Sequence, residues 1–338
     1  MRDTRPTTAP PTLEEPGCPP GLDSFVPGGL RLSNLQLDLP NIARDPKLTD
    51  EIVAAVHRVP TRHSLECGDV RQPRTLRPRS VHLVLTSPPY WTLKRYHDHP
   101  GQMGHITDYK AFLDQLDQVW QRCFEALVPG GRLVCVVGDV CLSRRANGGR
   151  HTVVPLHAAI QERCRSIGFD NLAPIIWHKI ANARHEAAGH GAGFLGKPYE
   201  PNAVLKNDIE FILMQRKPGG YRTPSPAQRL LSVIPAADYR RWFQQIWTGL
   251  PGASTKGHPA PYPLALAERL IRMFSFVGDT VLDPFVGTGT TSVAALRWGR
   301  HSRGIELDSF YFEQACQRVS SEPSVVSGLA SVDVLRDA

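Results

Sequence analysis

"VHLVLTSPPYWTLKRY", residues 81–96, decides how the chain folds. Val81 to Leu85 are aliphatic except for His82 and include β-branched side chains, as in a strand buried on both faces of a parallel sheet. Pro88 and Pro89 cannot donate to a ladder and so end it. Tyr90 and Trp91 then stand where the carboxyl end of such a sheet opens into a ligand crevice. A plain turn needs only Gly or Asn there. By itself the stretch fits either a site at the strand's end or a strand-ending loop with its aromatics packed into the core.

Strand and helix patterns alternate on both sides of this stretch. "LTDEIVAAVHRV" (48–59) has helical apolar spacing, and "HSLECGDV" (63–70) reads as a short strand ending in Gly68-Asp69. From Asp108 a long amphipathic helix is expected to stop at Pro129-Gly130-Gly131. "RLVCVVGDV" (132–140) is a buried strand, "PLHAAIQERCRSIGF" (155–169) a helix, and "NLAPIIWHK" (171–179) and "NDIEFILMQRK" (207–217) are strands. The helix "PLALAERLIRMFSF" (263–276), the strand "TVLDPF" (280–285), a helix after "VGTGTT" and the strand "RGIELD" (303–308) follow. This alternation predicts an α/β fold with a doubly wound, mostly parallel sheet of Rossmann-like type.

Between 216 and 257 the regularity lapses. From Arg216 to Arg241 there are six Lys or Arg against one acid, Asp238, with Tyr221, Tyr239, Trp242, Phe243 and Trp247 close by. The expected organisation is a disordered Pro-rich tail (1–45), a first part of the main domain (46–215), a small inserted recognition region (216–257), a second part of the same domain (258–325) and a C-terminal tail (326–338).

A chain of 338 residues with 41% apolar and 21% charged content is that of a globular protein with a substantial core. No apolar run approaches the roughly 20 residues of a membrane span. The opening "MRDTRPTTAPPTLEEPGCPPG" lacks the apolar stretch of a secretory signal, so a cytoplasmic location is the expectation. The seven cysteines contain no Cys-x-x-Cys pair and read as buried thiols, without metal or disulfide roles. "HEAAGH" (185–190) spaces its histidines five apart rather than four, against a zinc site. The net charge of +7 suits a polyanionic partner.

A second signal lies in "DTVLDPFVGTGTTSVAAL" (279–296), a strand, a Gly-rich turn and a helix start. Gly287 and Gly289 allow close approach of backbone to a ligand, with Thr290 opening the helix. The dinucleotide fingerprint fails, because Ser292 stands where its third glycine belongs, and no Gly-Lys-Ser/Thr marks a phosphate loop. About 20 residues on, Glu306 ends the next strand, placed to accept the hydroxyls of a ribose. A ribose acid without a pyrophosphate loop points to an adenosine cofactor that lacks phosphates, of which S-adenosyl-L-methionine is the common one.

"LTSPPYW", "HPAPYP" (258–263), "LDPFVGTGTT" and "RGIELD" together resemble the motifs of the amino-group DNA methyltransferases. Their order is that of the circularly permuted β group, and the resemblance spans roughly residues 62–320. It implies a duplex DNA substrate, S-adenosyl-L-methionine as cofactor, no metal, no membrane, and is compatible with a homodimer. It assigns catalysis to Ser87, Pro88, Pro89 and Tyr90, and cofactor binding to Asp69, Thr86, His258, Asp283, Pro284, Phe285, Gly287, Gly289, Thr290 and Glu306. Arg95, Arg222, Arg229, Arg240 and Arg241 are the expected DNA contacts. Ser at the head of the catalytic motif leans toward N4 of cytosine, with N6 of adenine as the alternative. An RNA methyltransferase and an idle DNA-binding module are the rivals. The target atom is inaccessible in a duplex, so the base is expected to be flipped out.

Overall fold

The computed structural model describes residues 21–94, 96–145, 147–179, 207–253 and 262–336. Among these residues eleven strands are formed. They are β1 (Thr61–Cys67), β2 (Val81–Thr86), β3 (Leu127–Val137), β4 (Val140–Leu142), β5 (Thr152–Val154), β6 (Asp170–His178), β7 (Ile209–Arg216), β8 (Ile246–Trp247), β9 (Thr280–Asp283), β10 (His301–Glu306) and β11 (Ala330–Leu335). The helices are α1 (Leu35–Arg44), α2 (Pro46–Val56), α3 (Tyr109–Ala126), α4 (Leu156–Ile167), α5 (Pro226–Leu231), α6 (Ala236–Trp242), α7 (Leu264–Phe274), α8 (Thr290–Arg297), α9 (Ser309–Ser320) and α10 (Pro323–Val326). No described helix is long and apolar enough to cross a membrane.

Nine strands make one sheet in the order β11-β1-β10-β9-β2-β3-β7-β6-β8. Every neighbouring pair is parallel except those of β7, which runs against β3 and β6. This is the mostly parallel, doubly wound α/β sheet expected. Val81, Leu83, Val84 and Leu85 are fully buried, which is why β2 shows no polar alternation. Its side chains divide between two cores. Val84 packs with Phe112, Leu116 and Trp120 of α3, and Leu83 and Leu85 pack with Leu266, Leu270 and Ile271 of α7.

Three expectations are corrected, and one element was not foreseen. Residues 35–44 are no tail but helix α1, capped by Asn34, whose side chain accepts from Gln36 N. Ile42 and Leu22 join α2 and α5 in a small core of their own. The C-terminal stretch is likewise ordered, with β11 lying parallel to β1 from Thr61↔Ala330 to Glu66↔Leu335. Its exposed Ser331, Asp333 and Leu335 alternate with partly buried Val332 and Val334, as on a half-solvated edge strand. Pro129-Gly130-Gly131 does not separate α3 from the next strand. The helix passes directly into β3, where the register slips against β2 and Gly130 N donates to Lys217 O (2.9 Å). The stretch between β3 and α4 contributes the hairpin β4–β5, which periodicity did not reveal because each strand has only three residues.

Segment 221–243 is bound to the turn before β9. Arg222 holds Asp279 with two bonds of 2.6 Å, Gln228 Nε2 donates to Val277 O (3.2 Å), and Val277 N donates to Ser232 Oγ (2.9 Å). That turn precedes a parallel strand, so the segment sits at the amino ends of the sheet, opposite the end where β2 delivers Ser87. Trp242 and Trp247 are buried core residues beneath α7.

Candidate active site

At the carboxyl end of β2 the chain turns through Ser87-Pro88-Pro89-Tyr90. Tyr90 is 7% exposed, and its hydroxyl donates to Val136 O of β3 (3.3 Å). Ser87 Oγ donates to the same hydroxyl (3.2 Å). Burial, reinforced by the Glu210 carboxylate, pushes the Tyr90 phenol far above its usual range, so it stays a neutral hydrogen-bonding group. The turn ends at Trp91 with φ 48°, a left-handed conformation that costs a bulky residue about 1–3 kcal/mol. Two contacts hold it there. The indole Nε1 donates to Ile106 O (2.9 Å), and the ring lies 5.0 Å from that of Tyr109 at the start of α3.

Beneath the turn, Thr86 Oγ1 donates to Asp283 Oδ1 (2.7 Å), joining β2 to β9. Asp283 also accepts from Phe285 N (3.1 Å), Tyr262 Oη (3.2 Å) and Thr291 Oγ1. Burial pushes its carboxyl up and these donors pull it back. Thr86 and Asp283 are both buried, so they brace the floor on which the loops stand.

Ser87 and Pro89 form one wall of a cavity. Gly68, Asp69, Pro284, Phe285, Gly287 and Glu306 line it as well, all from loops or strand ends at the carboxyl side of β1, β9 and β10. Glu306 lines the cavity floor and accepts from Gly287 N (2.8 Å) and Asp308 N (3.0 Å). Its surroundings strip water from the carboxyl and push it up to about 7, against those two donors. Burial also raises Asp69, but hydrogen bonds and charge from Arg71 prevail and hold that carboxyl below its usual range. The same Arg71 donates to Gly101 O (3.0 Å). Residues 96–103, which sequence patterns left unassigned, thus close one side: Tyr96, Gly101, Gln102 and Met103 line the cavity with Tyr311. The Tyr96 ring rests where a Cβ on Gly104 would stand, 2.7 Å away, so glycine there is required for its seat. Their signal, "YHDHPGQMGH", carries no period and could be found only through structure.

Gly289 and Thr290 do not line the cavity. Gly289, at φ 83°, backs onto Ala315 and Val319, and Thr290 Oγ1 accepts from Arg318 (3.0 Å). They shape the turn and start α8. His258, Arg95 and the "HEAAGH" segment lie outside the described residues. Arg222 is spent on buried Asp279, Arg229 Nε donates to Pro224 O (3.3 Å), and Arg241 pairs with Asp238. Arg240 is exposed beside α1 and Phe276. None of these four stands near Ser87. Among the described residues no group of His, Cys, Asp and Glu could hold a metal ion.

An acid-floored cavity at the carboxyl ends of β1, β9 and β10, shared with a Ser-Pro-Pro-Tyr turn, defines an S-adenosyl-L-methionine-dependent methyltransferase. The chain belongs to the N6/N4 DNA methylase family, whose model matches residues 81–317. It is 35% identical over 281 residues to the type II methyltransferase M.MjaI of Methanocaldococcus jannaschii, covering 74% of this chain and 88% of that one. Among solved structures it resembles TTHA0409 of Thermus thermophilus, classed with DNA modification methylases and determined with S-adenosyl-L-methionine bound. The identity is 53%, the TM-score 0.67, and the match covers 82% of this chain and 99% of that one. The PvuII DNA methyltransferase (cytosine-N4-specific) shares the fold at 17% identity and TM-score 0.52, over 81% of this chain and 97% of that one.

Proposed function

We propose that this DNA methyltransferase acts on N4 of a cytosine flipped out of duplex DNA, by direct attack of the amino nitrogen. The observation that carries the reading is the position of Ser87, which closes the catalytic turn on one side and walls the cofactor cavity on the other. The residues fit the cofactor: a recessed carboxylate able to accept ribose hydroxyls at Glu306, an acid at Asp69 to receive an adenine amino group, and close backbone approach at Gly287. Bound there, S-adenosyl-L-methionine supplies an electrophilic methyl group. Pro284 and Phe285 flank the same space, and His258 is assigned to it by the motif alone.

An exocyclic amine is a weak nucleophile because its lone pair is delocalised into the ring. Ser87 Oγ and Pro88 O accept its two N–H bonds and draw the nitrogen toward tetrahedral geometry, so that its lone pair can take the methyl group as the S–CH3 bond breaks, and the proton the product sheds passes to solvent. Pro88 and Pro89 fix the backbone, so this orientation is set before the base arrives. Tyr90 provides the ring on which the base stacks, a contact of about 1–3 kcal/mol. At 7% exposure that ring must be uncovered as the base enters. No covalent adduct with the base is needed. Cys123, Cys135 and Cys164 are buried with thiols raised by desolvation, unsuited to nucleophilic attack.

Serine in place of aspartate supports cytosine, since the resemblance links Ser-Pro-Pro-aromatic with N4 products. The decisive experiment incubates the protein with unmethylated duplex DNA and S-adenosyl-L-methionine, then identifies product nucleosides by mass spectrometry. N4-methylcytosine is expected, and Ser87→Ala should abolish it. N6-methyladenine would overturn the base assignment alone. Methylated RNA with unmodified DNA would overturn the substrate.

A further inference from the structure

The hairpin between β3 and α4 is a two-stranded ribbon with the pairs Val140↔Val154, Cys141↔Val153 and Leu142↔Thr152. Its root is rigid. Val140 is buried, and Leu142 and Val154 pack on the core that contains Tyr90. Asp139 accepts from the His157 backbone N (3.2 Å) and meets His157 Nδ1 at 2.6 Å, and that ring stacks 3.8 Å from Phe211. Thr86 of β2 stands opposite Cys135 of β3, and Tyr90 bonds to Val136 O. The ribbon therefore leaves the sheet beside the catalytic turn.

Its tip, "SRRANGGR" (143–150), has three arginines and no acid. Arg144, Arg145 and Arg150 are exposed, and among the described residues no carboxylate forms an ion pair with them. The described residues of the tip are nonetheless tied together by hydrogen bonds. Gly149 N donates to Arg144 O (2.9 Å), Arg150 N to Asn147 O (3.0 Å), and Asn147 Nδ2 to Thr152 Oγ1 (2.8 Å). Gly148 and Gly149 take φ of 54° and 80°, which the turn requires.

We propose that the β4–β5 ribbon enters the major groove next to the flipped-out base, with Arg144, Arg145 and Arg150 as its DNA contacts. The proposal rests on the DNA reading above and names the surface through which the site is read. A major groove admits a two-stranded ribbon, and arginine binds O6 and N7 of guanine with two hydrogen bonds. The segment 221–243 lies at the other end of the sheet, so the ribbon is the basic element that the described fold places beside Ser87.

The test compares the full-length chain with R144A/R145A/R150A and R144K/R145K/R150K. Duplex affinity is measured across a salt series, and the sites methylated in mixed-sequence DNA are sequenced. Thermal midpoint and cofactor affinity should not move, because none of the three residues touches the core or the cavity. The alanine variant should bind duplex DNA about 30-fold more weakly, with a log–log salt slope shallower by about two to three. The lysine variant should regain much of the affinity but not the site preference, since lysine lacks the planar fork. Unchanged affinity overturns the proposal, as does a uniform loss with site preference intact. A wild-type chain that binds duplex DNA but methylates none of it would instead overturn the reading above, while the affinities still decide the ribbon.

Discussion

If Glu306 holds the ribose as proposed, a single side chain should make cofactor binding depend on pH. In the folded chain its carboxyl is pushed from 4.5 to about 7. A raised acid favours the folded state fully below about 4.5, and that contribution is lost as pH rises through about 7. Cofactor binding has the opposite sign, because ribose hydroxyls donate to the carboxylate and not to the acid. Affinity for S-adenosyl-L-methionine should therefore climb between about pH 6 and 8, with proton release visible in calorimetry as a dependence on buffer ionisation. Glu306→Gln should bind about tenfold more weakly at pH 8 and lose the pH dependence, because a charge-assisted bond becomes a neutral one. A wild-type affinity flat across that range would remove Glu306 from the ribose. Its position was legible because a strand-ending acid follows the Gly-rich turn at a fixed distance. The raised carboxyl was not legible, since it comes from burial, with the Asp308 and Asp283 carboxylates adding to it, and burial is set only by the assembled fold.

Among the elements, α3 and α7 were legible from their helical apolar spacing, and β2, β3 and β9 from their continuous apolar runs. The three-residue strands of the ribbon were not, because so short a stretch sets no pattern apart from a loop, and the direct passage from α3 into β3 was not, because Pro129-Gly130-Gly131 reads as a turn wherever it stands. The basic, aromatic stretch 216–247 shows a different limit of sequence. Arginines that bind a partner and arginines that hold a fold look alike in sequence. Arg222 lies 19% exposed against an Asp279 that is 1% exposed, and Arg269 and Arg272 stack over Trp242. Arg222→Ala should therefore cost about 3–5 kcal/mol of stability by stranding a buried carboxylate. DNA affinity of the folded fraction should stay unchanged. Equilibrium denaturation and anisotropy titration on the same sample check both. A large loss of DNA affinity without loss of stability would return Arg222 to the DNA-binding surface.

On the scale of the whole molecule, motif order has a mechanical consequence. β1, from the first third of the chain, lies between β11 and β10 from its last 40 residues. The catalytic strand β2 has β9 as one neighbour, matched only at Leu83↔Val281 and Val84↔Leu282 and closed by the Thr86–Asp283 bond. Neither half owns a complete sheet, so the part carrying Ser87 and the part carrying Glu306 stabilise each other across every shared ladder. Such interleaving should make unfolding one cooperative event although the site is assembled from distant stretches of chain. Scanning calorimetry should show a single transition with equal calorimetric and van't Hoff enthalpies. S-adenosyl-L-methionine at about 100 times its dissociation constant adds roughly 2.7 kcal/mol to the folded state and should raise the midpoint by about 5 °C without splitting it. Two transitions, with only the second shifted by cofactor, would mean that the half carrying Glu306 holds its cavity without β1 and β2. The shared ladders would then contribute geometry to the site but not cooperativity.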